Sequence, residues 1–142
     1  MALFAKKKRR LARLLVVEDE PLVAFDTEYV LRDAGYTVVA TVDRVADALR
    51  LIDGEMLDAV LLDVNLADGS GLDVARAAQA VDLPVLLVTG DCPVEARALA
   101  MGCLAKPFAQ RDLLLAIEAI EAVRDGREPR RVPAGFALFA TG

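Results

Sequence analysis

Four short apolar runs in this chain each stop at a polar residue. Leu14 to Val17 runs into Glu18-Asp19, residues 59–62 into Asp63, residues 85–88 into Thr89, and residues 103–105 into Lys106. The runs are rich in Val and Leu and do not alternate with polar residues, the pattern of strands buried on both faces as in a parallel sheet. Parallel strands need long crossovers, so helices are expected between them. In open α/β sheets ligands bind in a crevice outside the carboxyl ends of the strands. The pattern therefore gathers three carboxylates, a hydroxyl and an ammonium at one sheet edge, a set suited to a divalent cation and a phosphoryl group.

The intervening segments support this alternation. Pro21 favours a first helical turn after the Glu18-Asp19-Glu20 loop. Leu22, Phe25, Tyr29 and Val30 lie near helical spacing over residues 22–34, and Gly35 is a stop. A shorter strand is expected at 37–40 and a helix at 43–52, where Val45, Leu49 and Ile52 recur before Asp53-Gly54. The strand at 58–63 leads through the turn-rich segment 65–71 to a helix at about 72–80. Pro84 opens the next strand, Pro93 can start another helix, and a final pair places a strand at 103–105 and a helix at 110–124. Five strand–helix repeats make a three-layer α/β/α sandwich, with helices on both faces of a parallel sheet.

With 56% hydrophobic and 27% charged residues, the chain has the composition of a compact domain and not of a disordered one. Its formal charge of −5 hides segregation: residues 1–13 carry six bases and no acid, whereas residues 14–123 carry seven bases against 20 acids. This divides the chain into a basic extension at 1–12, a body at 13–124 and a tail at 125–142. Short terminal charge runs are usually solvated, so recognition is expected through the body. The opening MALFAKKKRR has the reverse order of a secretory signal, and no 18-residue apolar run offers a membrane span. Cys92 and Cys103 fit neither a disulfide framework nor a zinc site, so a cytoplasmic protein with reduced thiols is expected. There is no histidine, which excludes histidine acid–base catalysis in cis.

Glu18 and Asp19 supply neighbouring hard oxygens, and Asp63 supplies another while keeping one free for a phosphoryl donor. Mg²⁺ favours such incomplete protein coordination, because it keeps waters and phosphate oxygens in its octahedral shell. Thr89 can donate its hydroxyl to a phosphoryl oxygen, Gly90 leaves space beside it, and Lys106 places an ammonium near another oxygen. Taken singly, Thr89 reads as a strand-end cap and Lys106 as a solvated side chain; their conjunction with the acids carries the site.

The ordered segments LLVVEDE, VLLDVNLADGSGLD, PVLLVTG and LAKPF resemble the receiver domain of bacterial two-component response regulators over about residues 12–124. The resemblance implies a flavodoxin-like fold with a five-stranded parallel sheet of order 2-1-3-4-5. It implies that Asp63 accepts phosphate from a sensor histidine kinase or histidine phosphotransfer protein. Glu18, Asp19, Asp63 and the backbone carbonyl of Asn65 would hold Mg²⁺, for which Mn²⁺ can substitute. Thr89, Gly90 and Lys106 would bind the phosphoryl group and sense it, and the Lys106-Pro107 bond would be cis. The protein would then be a phosphoacceptor with self-dephosphorylation and not an enzyme in the usual sense, serving as a phosphorylation-dependent binding switch or a phosphate sink.

Two departures bear on output. Cys103 stands where the family usually has an aromatic, three residues before the lysine, so sensing through Thr89 is expected without an aromatic rotamer switch. Ala67 replaces a common proline, although Asp68-Gly69 still supports a turn. In the last helix Leu113, Ile117 and Ile120 form a core stripe that Leu114 and Leu115 broaden, and a patch around Leu115, Ala119 or Ala122 could serve a downstream protein or a homodimer. The tail lacks the element pattern of a nucleic-acid-binding effector, which points to a stand-alone receiver; Phe136, Leu138 and Phe139 either fold back, join a neighbour or stay unstructured. Two other readings compete. A Mg²⁺-dependent phosphohydrolase with an aspartyl-phosphate intermediate would want a second carboxylate where Asn65 stands, and a degenerate receiver scaffold would want a reactive position missing. Neither GxGxxG nor GxxxxGK[ST] occurs, which disfavours a nucleotide-binding domain.

Overall fold

The computed structural model of the chain describes residues 11–139. The basic run from Lys6 to Arg10 lies outside them. In chain order the elements are β1 (Arg13–Val17), α1 (Pro21–Asp33), β2 (Thr37–Val42), α2 (Val45–Gly54), β3 (Ala59–Leu62), the short pair β4 (Asn65–Leu66) and β5 (Gly69–Ser70), then α3 (Gly71–Ala80). They are followed by β6 (Val85–Thr89), a 3₁₀ helix (Val94–Ala98), β7 (Gly102–Ala105), α4 (Gln110–Arg124) and β8 (Phe136–Leu138). The main sheet runs β2-β1-β3-β6-β7-β8. Its first five strands are parallel and keep the expected order; β8 adds a sixth, antiparallel to β7.

Strand alternation divides the core between two faces. Leu14, Val16, Leu61, Leu86 and Leu104 pack with Leu31, Leu113 and Ile117, from α1 and α4. Leu15, Val17, Val60, Leu62 and Leu87 pack with Ala48, Ile52, Val74 and Ala78, from α2 and α3. Register then aligns the strand ends. Val17 pairs with Leu62, Leu62 with Leu87, and Thr89 with Ala105, so Glu18, Asp63 and Lys106 each follow a paired strand end.

The structure corrects three sequence expectations. Leu22, Phe25 and Tyr29, 81%, 70% and 62% exposed, form the outer face of α1, whereas Thr27, Val30 and Leu31 are its buried residues. Helical spacing located the helix, but a short polar Thr packs inward where larger apolar side chains do not. The segment after Pro93 makes a single 3₁₀ helix instead of an α-helix. Ala119 and Ala122 are buried and Leu115 is half-buried, so the expected exposed patch on α4 is largely covered. At the tail, of the three possibilities left open, the chain folds back: β8 packs beside α4, and Phe136 and Leu138 join the α1/α4 core. The folded body thus reaches Phe139, which is itself buried.

The fourth correction is chemical. Cys92 and Cys103 form a disulfide, with Cα atoms 6.4 Å apart, where reduced thiols were expected. Their separation of 11 residues carries no disulfide signal in sequence. The return from β6 to β7 brings the loop carrying Cys92 back over Cys103, within bridging distance.

Candidate functional site

The parallel sheet delivers its polar strand ends into one cavity of about 710 Å³, lined by Asp19, Asp63, Asn65, Thr89, Gly90, Lys106 and Pro107 among others. Glu18 stands behind this lining and is 5% exposed. Backbone hydrogen bonds continue the sheet into the site: Glu18 N–H donates to the Val42 carbonyl, Asp63 N–H to Val17, and Lys106 N–H to Thr89, each at 2.9 Å. Glu18, Asp63 and Lys106 are therefore tied directly to sheet backbone.

Lys106 is the electrostatic centre. Its Nζ lies 2.6 Å from Glu18 Oε1, 2.9 Å from Asp63 Oδ2 and 3.2 Å from Glu20 Oε1. Burial works against the ammonium charge, but hydrogen bonds to Glu18 and Asp63 and the charges of both outweigh it, so the Lys106 pKa is raised. Burial likewise pushes Glu18 upward, a shift that Lys106 and the Glu20 N–H oppose. Asp63 is 6% exposed, and its Oδ1 accepts a hydrogen bond from the Asn65 N–H at 3.1 Å. The Lys106-Pro107 peptide bond is cis.

Glu18, Asp19, Glu20 and Asp63 each offer a carboxylate oxygen, and these oxygens lie within 4.8 Å of one another. Hard carboxylate oxygens at this density fit a divalent cation such as Mg²⁺ or Ca²⁺ far better than a soft metal. Thr89 provides a separate indication of a ligand. It is fully buried, lines the same cavity, and its Oγ1 has no hydrogen-bond partner among the described residues. A buried hydroxyl without a partner is costly unless something else satisfies it. Gly90 has open space where a Cβ would go, so crowding does not require glycine there.

Three contributors were missed by sequence reasoning. Glu20 was read only as loop, although it completes the carboxylate group; the unbroken Glu18-Asp19-Glu20 run was the available signal. Gly71 lies so close to the loop after β3 that an added Cβ would fall 2.3 Å from the Asp63 carbonyl oxygen. Asp68 accepts hydrogen bonds from the Val45 and Ala46 N–H groups at 2.7 and 3.3 Å, capping α2, and the Val45 bond holds its carboxyl below the usual range. No local pattern discloses either of these two contacts.

A doubly wound sheet with a carboxylate–lysine cluster outside its strand ends defines a flavodoxin-like α/β domain built to handle a cation and an anion together. Residues 14–118 match the response regulator receiver domain, and the chain belongs to that family. It is 34% identical over 112 residues to the transcriptional regulatory protein PdtaR of Mycobacterium tuberculosis, covering 75% of this chain and 55% of that protein. It is 35% identical to the response regulator MprA of Mycobacterium ulcerans, covering 76% and 49%. The chain thus spans about half the length of the curated relatives it matches. Among solved structures, a putative response regulator from Chloroflexus aurantiacus is 32% identical, with a TM-score of 0.69 over 82% of this chain and 99% of that one. The receiver domain of the sensor histidine kinase PA1611 from Pseudomonas aeruginosa, solved with magnesium coordinated in its active-site cleft, is 28% identical, with a TM-score of 0.64 over 72% and 91%.

Proposed function

We propose that this receiver accepts a phosphoryl group on Asp63 from a histidine kinase or histidine phosphotransfer protein in the cytoplasm, and acts as a phosphorylation-dependent binding switch or phosphate sink. The observation that carries the reading is the pairing of Lys106 on Asp63 Oδ2 with the partnerless, buried hydroxyl of Thr89 in the same cavity. One group stabilises negative charge at the acceptor and the other awaits an acceptor atom of its own.

Asp63 is the nucleophile, held in orientation by the Asn65 N–H at one oxygen. Lys106 offsets the charge of the phosphoryl oxygens, and Thr89 donates to one of them. Glu18, Asp19 and Asp63, with the Asn65 carbonyl, would hold Mg²⁺, with Glu20 as a further carboxylate at the rim; Mn²⁺ can substitute. When bound, the ion neutralises charge on the transferring group. The exposed Leu22, Phe25 and Tyr29 on α1 offer the donor an apolar contact beside the cavity, whose lining includes Val23, Asp26 and Thr27 of the same helix. Among the described residues no helix is long and apolar enough to cross a membrane, which is compatible with the cytoplasmic assignment.

The test is phosphotransfer from a ³²P-labelled histidine kinase or from acetyl phosphate to the wild type and to Asp63→Asn. Label should enter the wild type only with a divalent ion present, and should not enter the variant. Equal labelling of the two proteins overturns the reading.

A further inference from the structure

We propose that Cys92 and Cys103 form a reversible thiol–disulfide site, open to low-molecular-weight thiols through Cys92, that fastens the loop after Thr89 to β7. The two cysteines differ in access. Cys103 is 1% exposed, between Leu87 of β6 and Ala137 of β8, whereas Cys92 is exposed in the loop three residues after Thr89. The bridge joins the backbone leaving Thr89 to the strand that carries Lys106 three residues beyond Cys103. It therefore links the two elements that deliver the hydroxyl and the ammonium to the cavity.

The surroundings make this a small unit of its own. The bridged segment contains the 3₁₀ helix Val94–Ala98 and the buried Ala96 and Ala100, which share a core cluster with Cys103 and Phe139. The Arg97 guanidinium lies over the Phe139 ring at 5.4 Å, and Gln79 on α3 donates to the Ala98 carbonyl at 2.6 Å. These contacts keep the segment near β7 when the bridge opens, so the two sulfurs stay close enough to close it again.

Access sets the order of the exchange. An external thiolate attacks Sγ of the exposed residue Cys92, the protein S–S bond breaks, and Cys103 leaves as a thiolate that takes a proton. A second thiolate attacks the external sulfur of the mixed disulfide, releasing the small-molecule disulfide and the Cys92 thiolate, which is protonated in turn. Two small thiols are oxidised and one protein disulfide is reduced; the small-molecule disulfide drives the reverse. In a cytosolic protein a disulfide is usually transient and catalytic or redox-sensing. The consequence for signalling rests on the function proposed above: closed, the bridge restrains the loop that must follow Thr89 when its hydroxyl engages a phosphoryl oxygen, and open, it releases that loop.

The intact chain, equilibrated in buffers from fully reduced to fully oxidised glutathione and then acid-quenched and alkylated with a maleimide, reads the site by mass. Modified cysteines should pass from two to none, and Cys103→Ser should accumulate glutathione on Cys92. A wild-type pair that stays closed in reduced glutathione, or open in oxidised glutathione, overturns the site. Amide shifts induced by beryllofluoride with Mg²⁺ then read the tether: those at 90–99 should be roughly twofold larger in the reduced protein, whose loop has lost a covalent constraint, and Cys92→Ser should behave as reduced in either buffer. Equal shifts in both redox forms overturn the tether. Absence of any shift at the cavity would instead sink Asp63 as phosphoacceptor and the signalling consequence with it, while the thiol count stands independently.

Discussion

The cavity and the β7/β8 edge lie on the same sheet but are held by different means. At the cavity, charged groups sit at strand ends tied to sheet backbone, and Lys106, after β7, binds both Glu18, after β1, and Asp63, after β3. At the edge, a three-residue strand, a disulfide, an Arg97–Phe139 contact, a Gln79 hydrogen bond and a few core side chains fasten the tail and the 3₁₀ segment. The first arrangement positions chemistry and tolerates little change; the second fixes a peripheral layer that can loosen while the cavity persists. Perturbing each region separately should therefore affect different observables.

The largest effect is expected at the cavity. Asp19→Asn removes one of the carboxylates proposed to hold Mg²⁺ and should lower the rate of phosphoryl uptake roughly 100-fold at subsaturating Mg²⁺, with a matching loss of Mg²⁺ affinity by fluorescence or calorimetric titration. Unchanged uptake after complete chelation of divalent ions would contradict the metal role.

At the edge, reduction of the wild type should cost about 3 kcal/mol of unfolding free energy, the loop-closure term for a ring of this size, measured by urea denaturation with and without a reductant. Gly102→Ala probes the same edge without touching sulfur. An added Cβ would lie 2.7 Å from the Phe136 ring and 2.8 Å from the Ala137 carbonyl, so β8 must shift or leave. A loss of about 1–3 kcal/mol is expected from this overpacking, with phosphoryl uptake at Asp63 preserved. If uptake fell as sharply as in Asp19→Asn, the two regions would not be separable.

Thr89→Val separates folding from sensing within the cavity. Replacing a buried hydroxyl that has no partner among the described residues by a methyl should leave the unphosphorylated protein as stable or stabilise it by roughly 1 kcal/mol, while abolishing phosphate-induced amide shifts at 90–92. Loss of stability would mean that the hydroxyl already has a partner.

The smallest effect concerns Asp82, which joins the α3–β6 connection to α4. Hydrogen bonding to Arg124 and its charge hold the Asp82 carboxyl below its usual pKa of 3.8. A carboxylate depressed on folding stabilises the fold above its unfolded pKa, and this contribution is lost as pH falls through the lower folded value. Asp82→Asn should therefore cost slightly at neutral pH and close the gap to wild type below about pH 4, read from denaturation midpoints across that range.

The cavity was largely legible in the sequence because a parallel strand ends where its apolar run ends, and Glu18, Asp63, Thr89 and Lys106 each mark such an end. The edge was not. A three-residue strand such as Phe136–Leu138 has no period to detect, and Cys92 and Cys103 meet only through the β6–β7 return. On α1 the spacing of Leu22, Phe25 and Tyr29 identified a helix without revealing which side faces the sheet. Glu20 was signalled only by the unbroken Glu18-Asp19-Glu20 run, whereas the closeness of Gly71 to the Asp63 carbonyl is encoded by no local pattern.

The most direct measurement is mass analysis of protein quenched within seconds of mixing with a phosphorylated kinase or acetyl phosphate and Mg²⁺, followed by peptide mapping under conditions that preserve acyl phosphates. One phosphoryl group on the peptide containing Asp63, labile to acid, base and hydroxylamine, is the predicted result. A stable phosphate on a serine or threonine, or an acyl phosphate on another carboxylate with Asp63 unmodified, would contradict the account.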